Sequence, residues 1–212
     1  MRCGNATCMR RSTRYTVCVG KAAIPPVTEL QAVPLDAVVD LVNEWSTVAR
    51  RTAQEQDRSF PEFPHFAAAH GLDTNEFGRQ LDNDDLVRVA DSLYPAFSVP
   101  GDDEAAAHLN SLLAEAKPTP RLALDRGRIV DSWTAPAGRT ALLASCVLAL
   151  RELLIEQGGS RRLGVCSGIK CADVYIDGSP GGHKRFCDIR CQNRARINAF
   201  RRAKRTTDTT GV

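Results

Sequence analysis

The sequence predicts a mainly α-helical body containing one β-hairpin, followed by a small C-terminal finger made of a short β-hairpin plus a helix. Three observations carry this. Apolar residues recur at helical spacing in several long segments, the spacing switches to alternation between 118 and 136, and four of the eight cysteines fall within residues 166–191.

The helical elements follow in order. From Leu35, the residues Val38, Val39, Leu41, Val42, Trp45 and Val48 share one helical face, predicting an amphipathic helix over 35–54. The segment with Phe60, Phe63, His65 and Phe66 reads as a loop with a short helix. Asp84 and Asp85 precede Leu86, Val89 and Leu93, and Asp102 and Asp103 precede the segment 105–116; acidic first turns complement the helix dipole, so each opens a helix. Leu122 and Leu124 alternate with Ala123 and Asp125, Asp125-Arg126-Gly127 supplies a turn, and Ile129, Val130 and Trp133 resume a β-prone run, which is a hairpin signal. Residues 138–157 form a strongly apolar helix stopped by Gly158-Gly159, with Cys146 expected as inert core packing.

Composition bounds the alternatives. At 212 residues, 43% hydrophobic and 25% charged, the chain is neither disordered throughout nor collagenous nor a coiled coil. The longest apolar run, 141–150, is interrupted by Ser145 and followed by Arg151, short of the roughly 20 residues a bilayer span needs. The basic start (Arg2, Arg10, Arg11, Arg14) has no apolar segment behind it, so no secretory signal is read; a cytoplasmic, nucleoid-associated location and reduced cysteines follow as expectations. The net charge of +3 conceals an uneven distribution. Residues 25–157 hold 11 basic and 21 acidic side chains, 158–212 hold 12 and 4, and 1–24 hold five basic and none acidic. The resulting division is a disordered leader (1–24) with Cys3, Cys8 and Cys18, an acidic helical domain (25–159), a basic finger (160–206) and a disordered tail (207–212).

The cysteines of the finger read Cys166-x4-Cys171, fifteen residues, then Cys187-x3-Cys191. Two close pairs joined by a loop suit tetrahedral Zn²⁺, and four thiolates fill its coordination shell, so the expected site is structural, within a zinc-ribbon-like finger. Two disulfides, free thiols, or His183 in place of one cysteine are the alternatives. With few large apolar side chains, this segment needs a cross-link of some kind to fold. Val174-Tyr175-Ile176 reads as a strand and residues 193–204 as a helix. Ile189, Ile197 and Phe200 are expected to pack on the finger, while Arg190, Arg194, Asn198, Arg201 and Arg205 form a basic stripe. Such a stripe suits DNA, because Arg neutralises phosphates and reads guanine, and Asn reads adenine.

Cys166-x4-Cys171, Tyr175-Ile176-Asp177-x-Ser179, His183-Lys184-Arg185-Phe186-Cys187 and Cys191-Gln192-Asn193-Arg194 together resemble the CGNR zinc finger. Gln192 stands where that motif has glycine, and the second cysteine pair is one residue closer than the commonest form; Asn193 and Arg194 keep the motif. Proteins of this family carry the finger behind an ABATE domain, described as a stress-induced transcription-regulator domain of actinobacteria. Residues 36–45, with Asn43 at the characteristic asparagine, resemble its opening motif. The resemblance implies a DNA-binding transcription regulator in which the acidic domain senses a small-molecule effector, forms a homodimer or contacts the transcription machinery. A protein-interaction module and a redox or zinc sensor are the other readings. No enzyme is expected: His65, His70 and His108 are scattered without metal-ligand spacing, and no nucleophile or phosphate-loop motif is present.

Overall fold

The computed structural model describes the backbone of residues 26–209 and the side chains of 26–202; the expected leader, with Cys3, Cys8 and Cys18, and residues 210–212 lie outside the described residues. The order is β1 (Val27–Glu29), α1 (Leu35–Trp45), α2 (Thr47–Ala53), α3 (Phe63–Ala69), a 3₁₀ turn (Thr74–Phe77), α4 (Asn83–Leu93), α5 (Pro95–Ser98), α6 (Asp102–Ala116), β2 (Thr119–Asp125), β3 (Arg128–Pro136), α7 (Arg139–Gln157), β4 (Leu163–Val165), β5 (Val174–Ile176) and α8 (Ile189–Thr209). The expected mainly helical class with a hairpin and a small C-terminal finger is what forms. Among the described residues no helix is long and apolar enough to cross a membrane.

The helix expected over 35–54 is two helices, broken at Ser46. The Ser46 backbone is extended and its hydroxyl caps α2 by accepting from the Val48 N–H. Asp91 of α4 fixes the break by accepting from the Ser46 hydroxyl, the Thr47 N–H and the Thr47 hydroxyl at 3.0, 2.8 and 2.9 Å. A serine that can bond locally competes with the helix ladder, and here a tertiary carboxylate decides the competition. Trp45, fully buried just before the break, meets Phe66 edge-on at 5.1 Å and donates to the Asn83 side chain.

Helix α7 is the centre of the core. It packs against α1, α4, α6 and β3, and residues 141–147 are all buried, which is why its sequence is apolar on nearly every side. Gly158 stops it at φ 66°, as expected of a left-handed C-cap. The sheet has the order β1-β3-β2, all antiparallel, and Arg126-Gly127 closes the hairpin with φ of 48° and 79°, the geometry of a type I′ turn. Beyond its base the hairpin stands clear of the body, with Leu122 and Leu124 each 77% exposed.

The finger's two strands pair antiparallel, Leu163 with Ile176 and Val165 with Val174. Their inner face belongs to the body's core: Ala172 and Val174 are buried in one cluster with Val38, Leu41 and Trp45. Burying a valine fully contributes roughly 1.5–3 kcal/mol, so the packing is part of what holds the finger in place. Helix α8 starts four residues before the expected helix and runs through 207–209, residues assigned from the sequence to a tail.

Candidate metal centre and basic helix

Each cysteine is placed by a different piece of backbone. Cys166 directly follows β4, Cys171 ends a tight knuckle in which Lys170 takes φ 56°, Cys187 lies two residues before α8, and Cys191 sits in its first turn. The four sulfurs lie within 4.8 Å of one another, with Cys171 to Cys187 at 3.7 Å and Cys187 to Cys191 at 3.8 Å. Four sulfurs each about 2.3 Å from one ion at tetrahedral angles stand about 3.8 Å apart, so the cluster fits a tetrahedral thiolate site. No disulfide links them in this arrangement, and Cys146 is buried apart in α7 as expected. His183 is exposed and takes no part in the cluster.

The knuckle leaves little room for a side chain at Gly168. Its N–H points at the Cys166 sulfur at 3.3 Å, and a Cβ there would stand 3.2 Å from the Cys166 sulfur and 3.3 Å from that of Cys191. Backbone bonds from Cys166 N–H to Asp173 O and from Ser167 N–H to Arg185 O hold the two halves of the finger together. Asp173 adds a carboxylate 3.4 Å from the Cys187 sulfur, a neighbour that cysteine spacing does not reveal. Burial pushes the Cys171 thiol up to about 12, with the Asp173 carboxylate raising it and the Asp173 N–H opposing, and burial likewise raises Cys187, with the Asp173 carboxylate adding to it. Burial acts in the same direction on Cys166, but hydrogen bonds from the Cys187 and Gly168 N–H groups outweigh it and lower that thiol. A divalent cation among them would allow all four to ionise together.

The finger is tied to the body by side chains. Asn43 on α1 donates to the Val174 carbonyl at 3.1 Å and accepts from the Val174 N–H at 2.7 Å. Tyr94 donates to the Ala172 carbonyl at 2.9 Å, and Lys170 to the Gln54 side chain at 2.8 Å. Within the finger, buried Asp177 accepts from the Ser179 and Lys184 N–H groups at 2.8 Å each; hydrogen bonding from Ser179 and Lys184 holds its carboxyl down at about 2. Tyr175 donates to the Lys184 carbonyl and carries the Lys184 ammonium 5.1 Å above its ring, and its ring fills the space a side chain at 164 would need.

Helix α8 leaves this centre with little cover: from 189 to 202, only Cys191 is buried. Arg190, Arg194 and Arg201 of the expected stripe are exposed, Asn198 is half-buried, and the side chain of Arg205 lies outside the described residues. Arg190 is paired with Asp188 at 2.7 Å, and Arg194 donates to the Ile169 carbonyl at 3.4 Å, reaching back to the knuckle. Asn193 is exposed.

The expected packing of Ile189, Ile197 and Phe200 on the finger does not occur: they are 61%, 52% and 71% exposed. Cys191 must face the other sulfurs and thereby sets the rotation of the helix. At 3.6 residues per turn, these three side chains lie about 120–180° around the axis from it.

The histidines of the body form no shared site. His65 is exposed beside Glu62, His70 is wedged between Phe66, Asp36 and Asp40, and His108 meets the Ser92 carbonyl.

Residues 162–204 match the family model of the CGNR zinc finger. That interval contains all four cysteines, both finger strands and the described part of the basic stripe. Among curated proteins, none matches the chain.

Proposed function

We propose that this CGNR zinc finger binds one Zn²⁺ through Cys166, Cys171, Cys187 and Cys191 and that the chain is a DNA-binding transcription regulator. Thiolate ligands in a tetrahedral set favour Zn²⁺, which closes the finger and leaves no coordination position open for catalysis. The observation that carries the DNA reading is the exposed basic face of α8, where Arg190, Arg194 and Arg201 project from a helix anchored at the metal centre. The acidic helical domain, 25–159, resembles ABATE and acts as the sensing or interaction part; the protein works in the cytoplasm at the nucleoid and catalyses no reaction. Homodimerisation or contact with the transcription machinery belongs to that domain.

The test is duplex DNA binding by the full chain across a salt series, since the finger shares its core with the body. Affinity should fall linearly in log salt with a slope of about −0.9 for each phosphate neutralised, and the Arg190→Ala, Arg194→Ala, Arg201→Ala triple variant should flatten it. Absent binding at low salt, or a slope unchanged in the triple variant, overturns the reading. The exposed Ile189, Ile197 and Phe200 favour a second reading, a zinc-stabilised protein-interaction module. Complexes that survive nuclease and are lost with Phe200→Ser would select it.

A further inference from the structure

The hairpin of β2 and β3 carries the sheet's core-facing side beyond the body. Side chains at alternate positions share a face, and the set that buries Ala135 at the base continues outward to Ile129, with Leu124 directly opposite Ile129 and Leu122 the next position on that face. Leu122, Leu124 and Ile129 are 77%, 77% and 71% exposed and adjoin one another, so they form a contiguous apolar patch and not scattered single exposures.

The backbone beside this patch is open as well. In the order β1-β3-β2, strand β2 is an edge. The Trp133 carbonyl accepts from the Leu30 N–H at 2.8 Å, so the odd-numbered residues of β3 turn their backbone groups toward the β1 side. Their partners across the hairpin, Leu124, Leu122 and Pro120, therefore stand at the non-hydrogen-bonded positions, and the N–H and C=O groups of Leu122 and Leu124 point away from β3 along the free edge. Pro120 faces the same way with no N–H to donate, so the row of open donors begins at Leu122.

The residues of β2 decide what fits this edge. An antiparallel copy of β2 centred on Ala123 sets Leu122 opposite Leu124 of the partner subunit in hydrogen-bonded register, and Arg121 opposite Asp125 of the partner subunit in the closer, non-hydrogen-bonded position. Each pair occurs twice about the twofold axis, which closes the assembly at two copies. Moving the axis to Leu122 or Leu124 breaks both charge pairs. Neither Arg121 nor Asp125 makes an ion pair within the chain among the described residues. The open edge of β3 has no such match, because its self-pairing about Val130 sets Ile129 against Asp131 of the partner subunit. Pairing β2 with β3 of another copy leaves free edges that go on adding copies.

We propose that two copies of this chain join edge to edge through β2, antiparallel about Ala123, into one continuous sheet. The inference rests on the homodimerisation reading of the acidic domain and names its surface; it does not depend on DNA binding.

Sedimentation of the zinc-loaded full chain tests it. The mass should double between about 1 and 100 μM, and the amides of Leu122 and Leu124 should exchange more slowly at the concentrated end. Arg121→Glu, at an exposed position, sets like charges opposite each other twice and should weaken the dimer at least about tenfold; adding Asp125→Lys should restore it to within about threefold. A chain still monomeric at about 100 μM overturns the proposal together with the homodimerisation reading. A dimer indifferent to Arg121→Glu, or one that Asp125→Lys does not restore, overturns the proposal alone and leaves homodimerisation to another surface.

Discussion

Asn43 performs at one position what a neighbouring strand would otherwise have to do. Its amide donates to and accepts from Val174 at the same time, satisfying both backbone groups of a residue with no exposed surface. Aspartate keeps the acceptor but loses the donor and adds charge; alanine leaves both Val174 groups without a partner. Since an unsatisfied buried group costs about 1–3 kcal/mol, Asn43→Ala should lower the urea midpoint by an amount of that order. It should also speed amide exchange at Val174 while leaving the central residues of α7 protected. An unchanged midpoint with unchanged exchange at Val174 would show that the pair of bonds is not what fastens the finger. Family resemblance points to Asn43, but no spacing argument shows its partner, because Val174 is 131 residues away along the chain.

Helices α1 and α8 are both amphipathic, yet their apolar faces meet different fates. Leu41 on α1 is 1% exposed inside the core, and Leu41→Ala should cost about 2–5 kcal/mol, the range for cavity-forming changes at buried leucines. Phe200 is 71% exposed, and Phe200→Ser should leave stability within about 0.5 kcal/mol in chemical denaturation. A loss comparable to that of Leu41→Ala would mean that α8 folds back on the protein. The contrast marks the boundary of what the sequence makes legible. Local signals identify α4, α6, α7, the Arg126-Gly127 turn and the two cysteine pairs, because periodicity, caps and spacing are properties of neighbouring residues. Periodicity says which side chains share a face; it does not say which face turns inward, and in α8 that is decided by Cys191 meeting three distant sulfurs. The break at Ser46 depends on Asp91, and the three-residue strands β1 and β4 exist through their pairing with Pro136 and Ile176, too short to show alternation of their own.

At the scale of the whole molecule, the cysteine cluster and the helical core are joined through β5. One side of that strand leads through Cys171 to the cluster, and its Val174 packs among the residues of α1. Loss of a metal bound there would therefore reach the body. Structural zinc contributes folding free energy directly, in finger peptides about 10–16 kcal/mol at neutral pH, because the ligands are brought together only in the folded state. The purified chain should contain close to one zinc, and chelation should lower the thermal midpoint of the body as followed by emission from buried Trp45 and half-buried Trp133. Helices α4, α6 and α7, which hold no ligand, should retain most of the far-ultraviolet signal below that midpoint, whereas amides of β4 and β5 should lose exchange protection. Cys187→Ser should reproduce the chelated state without chelator and lose DNA binding with the metal. A chelated chain that melts at the same temperature as the loaded one would separate finger from body and leave Asn43 and Val174 as a contact without energetic consequence.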